Sequence, residues 1–230
     1  MSGVREATIS GCNAFLDKIQ AEPGQTPSYV STLLFDQGKS RPLVRPLEIG
    51  RPITRAARLS TATYSPNGMT PLYDAIAETI RAADEVVARE KATRVFLVLQ
   101  TDDGENASHD FAGELGRKKV TAMLEERKKR GWQIVFLAAD PGAQGYQMSA
   151  SLGLGAGQTI AYGKGRTHEV FGAVAAPASS YLRSASDSVA FDLARKAGAD
   201  DPTTDPGHQI SPPPSAPPVP HGLMPRARRP

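Results

Sequence analysis

The sequence predicts an α/β domain built on a mostly parallel sheet, with helices packed against both of its faces. Helical and strand-like segments alternate along the chain up to about residue 183, and that order requires crossover connections between strands. Two apolar runs, Arg94 to Thr101 (RVFLVLQT) and Trp132 to Ala139 (WQIVFLAA), are continuous rather than alternating, as in strands buried on both sides. At 230 residues and 40% hydrophobic content, the chain can bury a core.

Each element has its own signal. Ile9, Cys12, Phe15, Leu16 and Ile19 form a helical stripe within Val4 to Gln20, ended by Pro23 and Gly24. Ser28 to Asp36 (SYVSTLLFD) is rich in β-branched and apolar residues and runs into the turn pair Gln37-Gly38, so it reads as a strand. Leu43 to Ile49 reads as its hairpin arm, confined to a sheet edge by Pro42, Pro46 and Pro52. Leu72, Ile76, Ile80, Ala83 and Val87 repeat at helical steps, with Thr70 expected as N-cap and Pro71 in the first turn. After the Arg94 to Thr101 strand, Ser108 is expected to cap a helix reaching about Arg130. Beyond the Trp132 to Ala139 strand follow a short helix near Gln144 to Leu152, a strand near Thr159 to Tyr162 and a helix from about Thr167 to Leu182.

Composition narrows the function classes. One cysteine, Cys12, excludes an internal disulfide framework and a multi-cysteine zinc site. Lys+Arg 27 against Asp+Glu 24 gives a formal net charge of only +3 with the signs interspersed, so no nucleic-acid partner is indicated. No stretch approaches the roughly 20 apolar residues of a membrane helix, and the start lacks an apolar signal core, which together imply a cytoplasmic protein if Met1 is the true start. Ten of the 19 prolines fall between Pro202 and Pro230. The division expected is therefore a domain over 1–183, a helical or irregular extension over 184–200 and a disordered Pro-rich tail over 201–230.

In open parallel sheets ligands bind at the carboxyl ends of strands, which directs attention to the polar run after Leu99. Asp102 there, with a hydroxyl such as that of Thr70 from a neighbouring loop, would make a hard oxygen site suited to magnesium or manganese. The plainer reading makes Thr70 a helix cap and Asp102 to Asn106 a solvated turn. The Gly153-x-Gly155-x-Gly157 alternation is preceded by a helix and followed by a strand, the reverse of a dinucleotide fingerprint, and reads as a turn. Arg127-Lys128-Lys129-Arg130 ends a helix, where cations complement the macrodipole. Cys12 has no evident base beside it and reads as packed and inert.

Phe96 to Ser108 (FLVLQTDDGENAS) resembles the strand-Thr-Asp-Gly-Glu-Glu-Asn-Ala-Ser segment of bacterial and phage von Willebrand factor type A domains. Gly68 to Ile76 (GMTPLYDAI) is similar to that family's Gly-x-Thr-x-Leu-x-Asp-Ala-Ile, and Gly131 to Asp140 (GWQIVFLAAD) to its next strand. The three blocks stand in family order, and the likeness spans roughly residues 2 to 183. It implies a doubly wound, Rossmann-like sheet carrying a metal-ion-dependent adhesion site. Of that site's elements, Thr70 matches the second-loop threonine and Asp102 the aspartate after the fourth strand. The Asp-x-Ser-x-Ser loop and the central first strand before it have no counterpart, Met1-Ser2 resembling only the loop's end. The missing strand would lie between the strands at Ser28 to Asp36 and Arg94 to Thr101, leaving two rows of unpaired backbone groups. The expectation is that Met1 is an internal methionine or that the gene is truncated, with magnesium or manganese bound weakly or not at all by the chain as numbered.

The resemblance implies a non-catalytic module that binds a protein partner, cation-dependent where the adhesion site is complete. Two alternatives stay open: a magnesium-dependent hydrolase or phosphotransferase using Asp102, Asp103 and Glu105, and a truncated fragment without function. Against the enzyme reading, the sequence holds no phosphate loop, Ser-x-x-Lys or His-Glu-x-x-His motif.

Overall fold

The computed structural model describes residues 2–22, 27–37, 42–66, 68–140 and 143–183. Helix α1 (Ser2–Ala21) leads into a hairpin of β1 (Tyr29–Gln37) and β2 (Pro42–Pro52). Then follow α2 (Leu72–Glu90), β3 (Phe96–Thr101), α3 (Gly113–Lys129), β4 (Gln133–Ala138), α4 (Ala143–Ser151), β5 (Thr159–Ala161) and α5 (Thr167–Arg183). The elements match the expected ones in type and order. The expected extension and Pro-rich tail, 184–230, lie outside the described residues.

Strands β3, β4 and β5 form a parallel sheet in that order. Side chains that alternate across it feed two cores. Leu97 and Leu99 of β3 and Ile134 and Phe136 of β4 pack against Leu72, Ile76 and Ile80 of α2 and Val120 and Leu124 of α3. On the opposite face, Val135, Leu137, Ile160 and Tyr162 meet Val170, Phe171 and Val174 of α5, with Cys12 and Phe15 of α1 and Phe96 and Val98 of β3 closing that side. Helices therefore cover both faces. Helices α1 and α5 approach so closely that a Cβ on Gly11 would stand 3.1 Å from the Thr167 carbonyl oxygen, and Phe15 meets Phe171 edge-on with ring centres 6.3 Å apart.

Strands β1 and β2 pair antiparallel, with Gln37 opposite Pro42 and Leu33 opposite Pro46. A proline fits an antiparallel ladder only where its nitrogen points away from the partner, so the hydrogen-bonded pairs are the ones between, Leu34 with Arg45 and Asp36 with Leu43. That phase turns the backbone groups of Leu33 and Phe35 away from β2.

Among the described residues no ladder joins the hairpin to the parallel sheet. The break falls between β1 and β3. Helix α2 contacts both strands of the hairpin, and Phe35 packs against the core formed by Leu97, Leu99 and α2.

Two cap assignments are corrected. The N-cap of α2 is Pro71, which has no capping side chain; the first-turn amides of Tyr73 and Asp74 donate instead to Glu105 and Ser108, and the Thr70 backbone is tied to Asn106. Helix α3 begins at Gly113, five residues after Ser108, because Ser108 is drawn into a loop that folds back on α2. The loop presses so near α3 that a Cβ on Gly116 would lie 1.8 Å from the Phe111 carbonyl oxygen.

Candidate functional site

The carboxyl end of β3 brings together the two motif blocks that stand some thirty residues apart in sequence. The Thr70 amide donates to Asn106 Oδ1 (2.7 Å), and the Asn106 amide returns a bond to the Thr70 carbonyl (3.2 Å). Glu105 fastens the same junction: its Oε2 accepts from the Tyr73 amide (2.9 Å) and the Ser108 hydroxyl (2.7 Å), its Oε1 from the amides of Ala107 (2.9 Å) and Ser108 (2.7 Å). The Ser108 hydroxyl accepts from the Asp74 amide (3.1 Å), while the Asp74 carboxylate receives the amides of His109 (2.7 Å) and Phe111 (2.8 Å). Both carboxylates lie at the amino terminus of α2, where the helix dipole favours negative charge.

Beside this junction a cleft of about 390 Å³ is lined by Tyr73, Glu105, Ser108, Gly113, Glu114 and Arg117, among others. Burial, and secondarily the Glu105 charge, pushes the Tyr73 phenol above its usual range. Arg117 holds the Glu114 carboxyl below the ordinary value by hydrogen bonding and also donates to the Ser151 carbonyl (2.7 Å). The cationic side chain is thus already committed to its own protein.

The two expected metal residues differ in setting. Thr70 is buried. Asp102 is about half exposed, and its Oδ2 pairs with Lys164 Nζ at 3.1 Å. Its neighbour Asp103 accepts the Gly104 amide (2.7 Å) and, through its carbonyl, the Thr101 hydroxyl (2.8 Å). A divalent cation prefers several oxygens in octahedral order, whereas here an ammonium faces Asp102, and Glu105 and Asp74 are engaged by backbone amides. Among the described residues no group of three His, Cys, Asp or Glu side chains is placed to hold a metal. Thr70 and Asp102 therefore do not fit a magnesium or manganese site by themselves.

Two phenols, those of Tyr162 and Tyr64, feel the Asp102 charge. Tyr162, at the end of β5, is fully buried, and burial pushes its phenol up to about 12, with Asp102 and Tyr64 adding to the rise. Its hydroxyl lies beside Thr167 and Gln100 without a well-formed hydrogen bond to either. Tyr64 is raised chiefly by burial, opposed by a contact from Thr8, with the charges of Asp102, Cys12 and Asp36 acting in the same upward sense. The Thr8 hydroxyl is likewise buried without a well-formed partner. Burial pushes the Cys12 thiol up to about 11, the state of a packed, unreactive sulfur.

Sequence reasoning singled out Asp102 and Thr70 and missed Asp74, Asn106, Ser108 and Lys164. An acidic residue in the first turn of α2 was a usable signal for Asp74. Nothing in sequence links Lys164 to Asp102, which lie 62 residues apart. The basic run at the end of α3 is also partly internal: Arg127 pairs with Asp84 of α2, and Lys128 donates to the Gly153 carbonyl at 2.6 Å.

Comparison of the chain with family models, with curated proteins and with solved structures finds no match.

Proposed function

We propose that this protein is a non-catalytic, protein-binding module of the von Willebrand factor type A kind, using the loops at the carboxyl end of β3 as its recognition surface. The observation that carries the reading is the reciprocal Thr70–Asn106 clamp. It joins the two motif blocks on which the resemblance rests, and the order of helices and strands is compatible with the doubly wound arrangement of that family. Loops held by their own side chains lose little freedom on docking a partner, and pre-ordering of this kind favours affinity.

The same bonds weigh against the hydrolase alternative. A general base needs a carboxylate free to reach a proton or a water. Glu105 has both oxygens on backbone amides, and Asp102 faces an ammonium. Since Thr70 and Asp102 do not make a divalent site, binding through this surface is expected to persist in a chelator.

The test is turnover. Purified protein should not hydrolyse p-nitrophenyl phosphate or p-nitrophenyl acetate with magnesium or manganese above a matched blank. Hydrolysis that Asp102→Ala or Glu105→Gln abolishes would overturn the proposal in favour of the enzyme.

A further inference from the structure

Gly104 is the one glycine in the chain that directly follows an aspartate, Asp103. The pair occupies a short link between two fixed points. Thr101, the last residue of β3, is paired with Ala138, and Glu105 and Asn106 are bound to the amides of Tyr73 and Thr70 at the start of α2. Within the link Asp103 is exposed, and its Oδ1 accepts the Gly104 amide at 2.7 Å, which lays the carboxyl group against the nitrogen of the next peptide unit. The carbonyl of that same unit accepts the Thr101 hydroxyl at 2.8 Å.

The backbone does not require glycine at 104. Its φ lies outside the left-handed region, and a Cβ there would meet, among the described residues, only Met148 Cε at 3.4 Å, an ordinary contact. What glycine does supply is an amide nitrogen with no side chain beside it. A hydrogen bond to a peptide oxygen draws charge from the peptide nitrogen and makes its proton easier to remove. Thr101 gives the Asp103–Gly104 peptide that bond. A carboxyl group, an unobstructed nitrogen and a polarised carbonyl are the three parts of a ring closure.

We propose that Asp103 and Gly104 form a self-modifying site, at which the folded chain closes a succinimide and reopens it as an isoaspartyl link. The Gly104 nitrogen bonds to Asp103 Cγ, and the amide proton and the carboxyl hydroxyl leave together as water. A water molecule then adds to one of the two ring carbonyls and breaks its bond to the nitrogen. Opening at Cγ restores aspartate, whereas opening at the main-chain carbonyl routes the backbone through Cβ and Cγ and leaves the α-carboxylate as the side group. No oxidant, reductant or other reagent takes part. The main chain gains one methylene between the fixed points at Thr101 and Glu105, so Asp102, which lies on that span, loses its register with Lys164. The reaction uses only the loop's own groups and water, so it stands or falls apart from the proposed binding function.

The experiment follows isoaspartate in the purified full chain at pH 7 and 37 °C over four weeks, by tryptic mapping with electron-transfer fragmentation, beside the peptide acetyl-Leu-Gln-Thr-Asp-Asp-Gly-Glu-Asn-Ala-Ser-amide. Trypsin separates residues 95–117 from residues 59–81, which hold the Asn67–Gly68 pair. That pair also yields isoaspartate, but with a gain in mass, whereas Asp103 changes without one. Isoaspartate at 103 should form in the folded chain at least as fast as in the peptide. Gly104→Ala, for which the fold has both the φ and the space, should slow it at least tenfold. Thr101→Val should slow it at least threefold in the folded chain and leave a peptide with the same change unaffected. Slower formation in the folded chain than in the peptide would show that the loop protects the pair and would overturn the proposal. Equal rates in the parent and Gly104→Ala, or in the parent and Thr101→Val, would also overturn it.

Discussion

Strand β3 is finished in two different ways. At its carboxyl end, Asp74, Glu105, Asn106 and Ser108 meet the backbone amides of Thr70, Tyr73, Asp74 and residues 107–111 one by one. Along its flank, the groups of Phe96, Val98 and Gln100 meet no ladder among the described residues. The first arrangement needs only short side chains carried within two nearby motifs. The second can be completed only by another strand, because side chains seldom satisfy a row of backbone groups. A short motif can therefore keep its local structure where the sheet around it is interrupted.

The largest expected effect follows from removing the most connected group in the stitched loops. Glu105→Ala leaves the amides of Tyr73, Ala107 and Ser108 and the Ser108 hydroxyl without their acceptor. Bonds to a charged acceptor contribute about 1.5 to 3 kcal/mol each but do not add, and water reaches this partly buried site, so a loss of about 2 to 4 kcal/mol is expected. Thermal unfolding should show it as a fall on the order of 5 to 15 °C for a domain of this size. A change under 1 °C would mean that the loops are held by packing and that the contrast with the open flank is false.

How far the sequence discloses this contrast depends on the range of the interaction. Strand β3, strand β4 and helix α2 are legible because a continuous apolar run or the Leu72, Ile76, Ile80 stripe is a local consequence of burial. The asparagine, serine and carboxylates of Glu105 to Ser108 are visible as a polar turn, but their acceptor and donor roles depend on α2 folding back from thirty residues away. The start of α3 is misplaced for the same reason: Ser108 is a good N-cap by type, yet the Asp74 amide and the Glu105 carboxylate claim its hydroxyl. Lys164 is beyond any local signal. The break between β1 and β3 has no local signal, since a strand's edge leaves no mark on its own side chains.

The second prediction probes the place where the stitched end and the open flank meet. Tyr162, beside Gln100, has its phenol pushed up to about 12 in the fold against an ordinary value of 10.0. A raised folded value means that the neutral form stabilises the native state. That contribution, on the order of 2 to 3 kcal/mol, is fully present below pH 10 and is lost as pH rises toward 12. Cys12, raised to about 11 from 9.0, produces an earlier loss between pH 9 and 11. Urea unfolding across pH 8 to 12 should therefore show two overlapping declines. Cys12→Ala should remove the earlier one and Tyr162→Phe the later, and the second variant should keep near wild-type stability at pH 7 because the lost hydroxyl has no well-formed partner. A late decline unchanged in Tyr162→Phe would show that water enters this junction and that the gap is open to solvent.

The smallest effect belongs to the residue that the motif makes most conspicuous. Asp102 bonds to Lys164 alone among the ion pairs, with both side chains about half exposed. Exposed pairs contribute about 0 to 1 kcal/mol and less in salt. Asp102→Ala should accordingly shift the melting temperature by no more than about 3 °C, and the shift should shrink in 0.5 M sodium chloride. Ligands that bind only the native state raise its melting temperature with concentration, so magnesium provides a direct check on the lone carboxylate. The parent chain and Asp102→Ala should respond alike to millimolar magnesium, because an ammonium already compensates the charge. Lys164→Met frees the carboxylate but adds no second one, so it too should gain no magnesium-dependent stabilisation. A rise with magnesium in the parent that Asp102→Ala removes would place a metal where Lys164 stands, and would mean that the stitched end of β3 binds cations through oxygens other than those of Glu105 and Asp74.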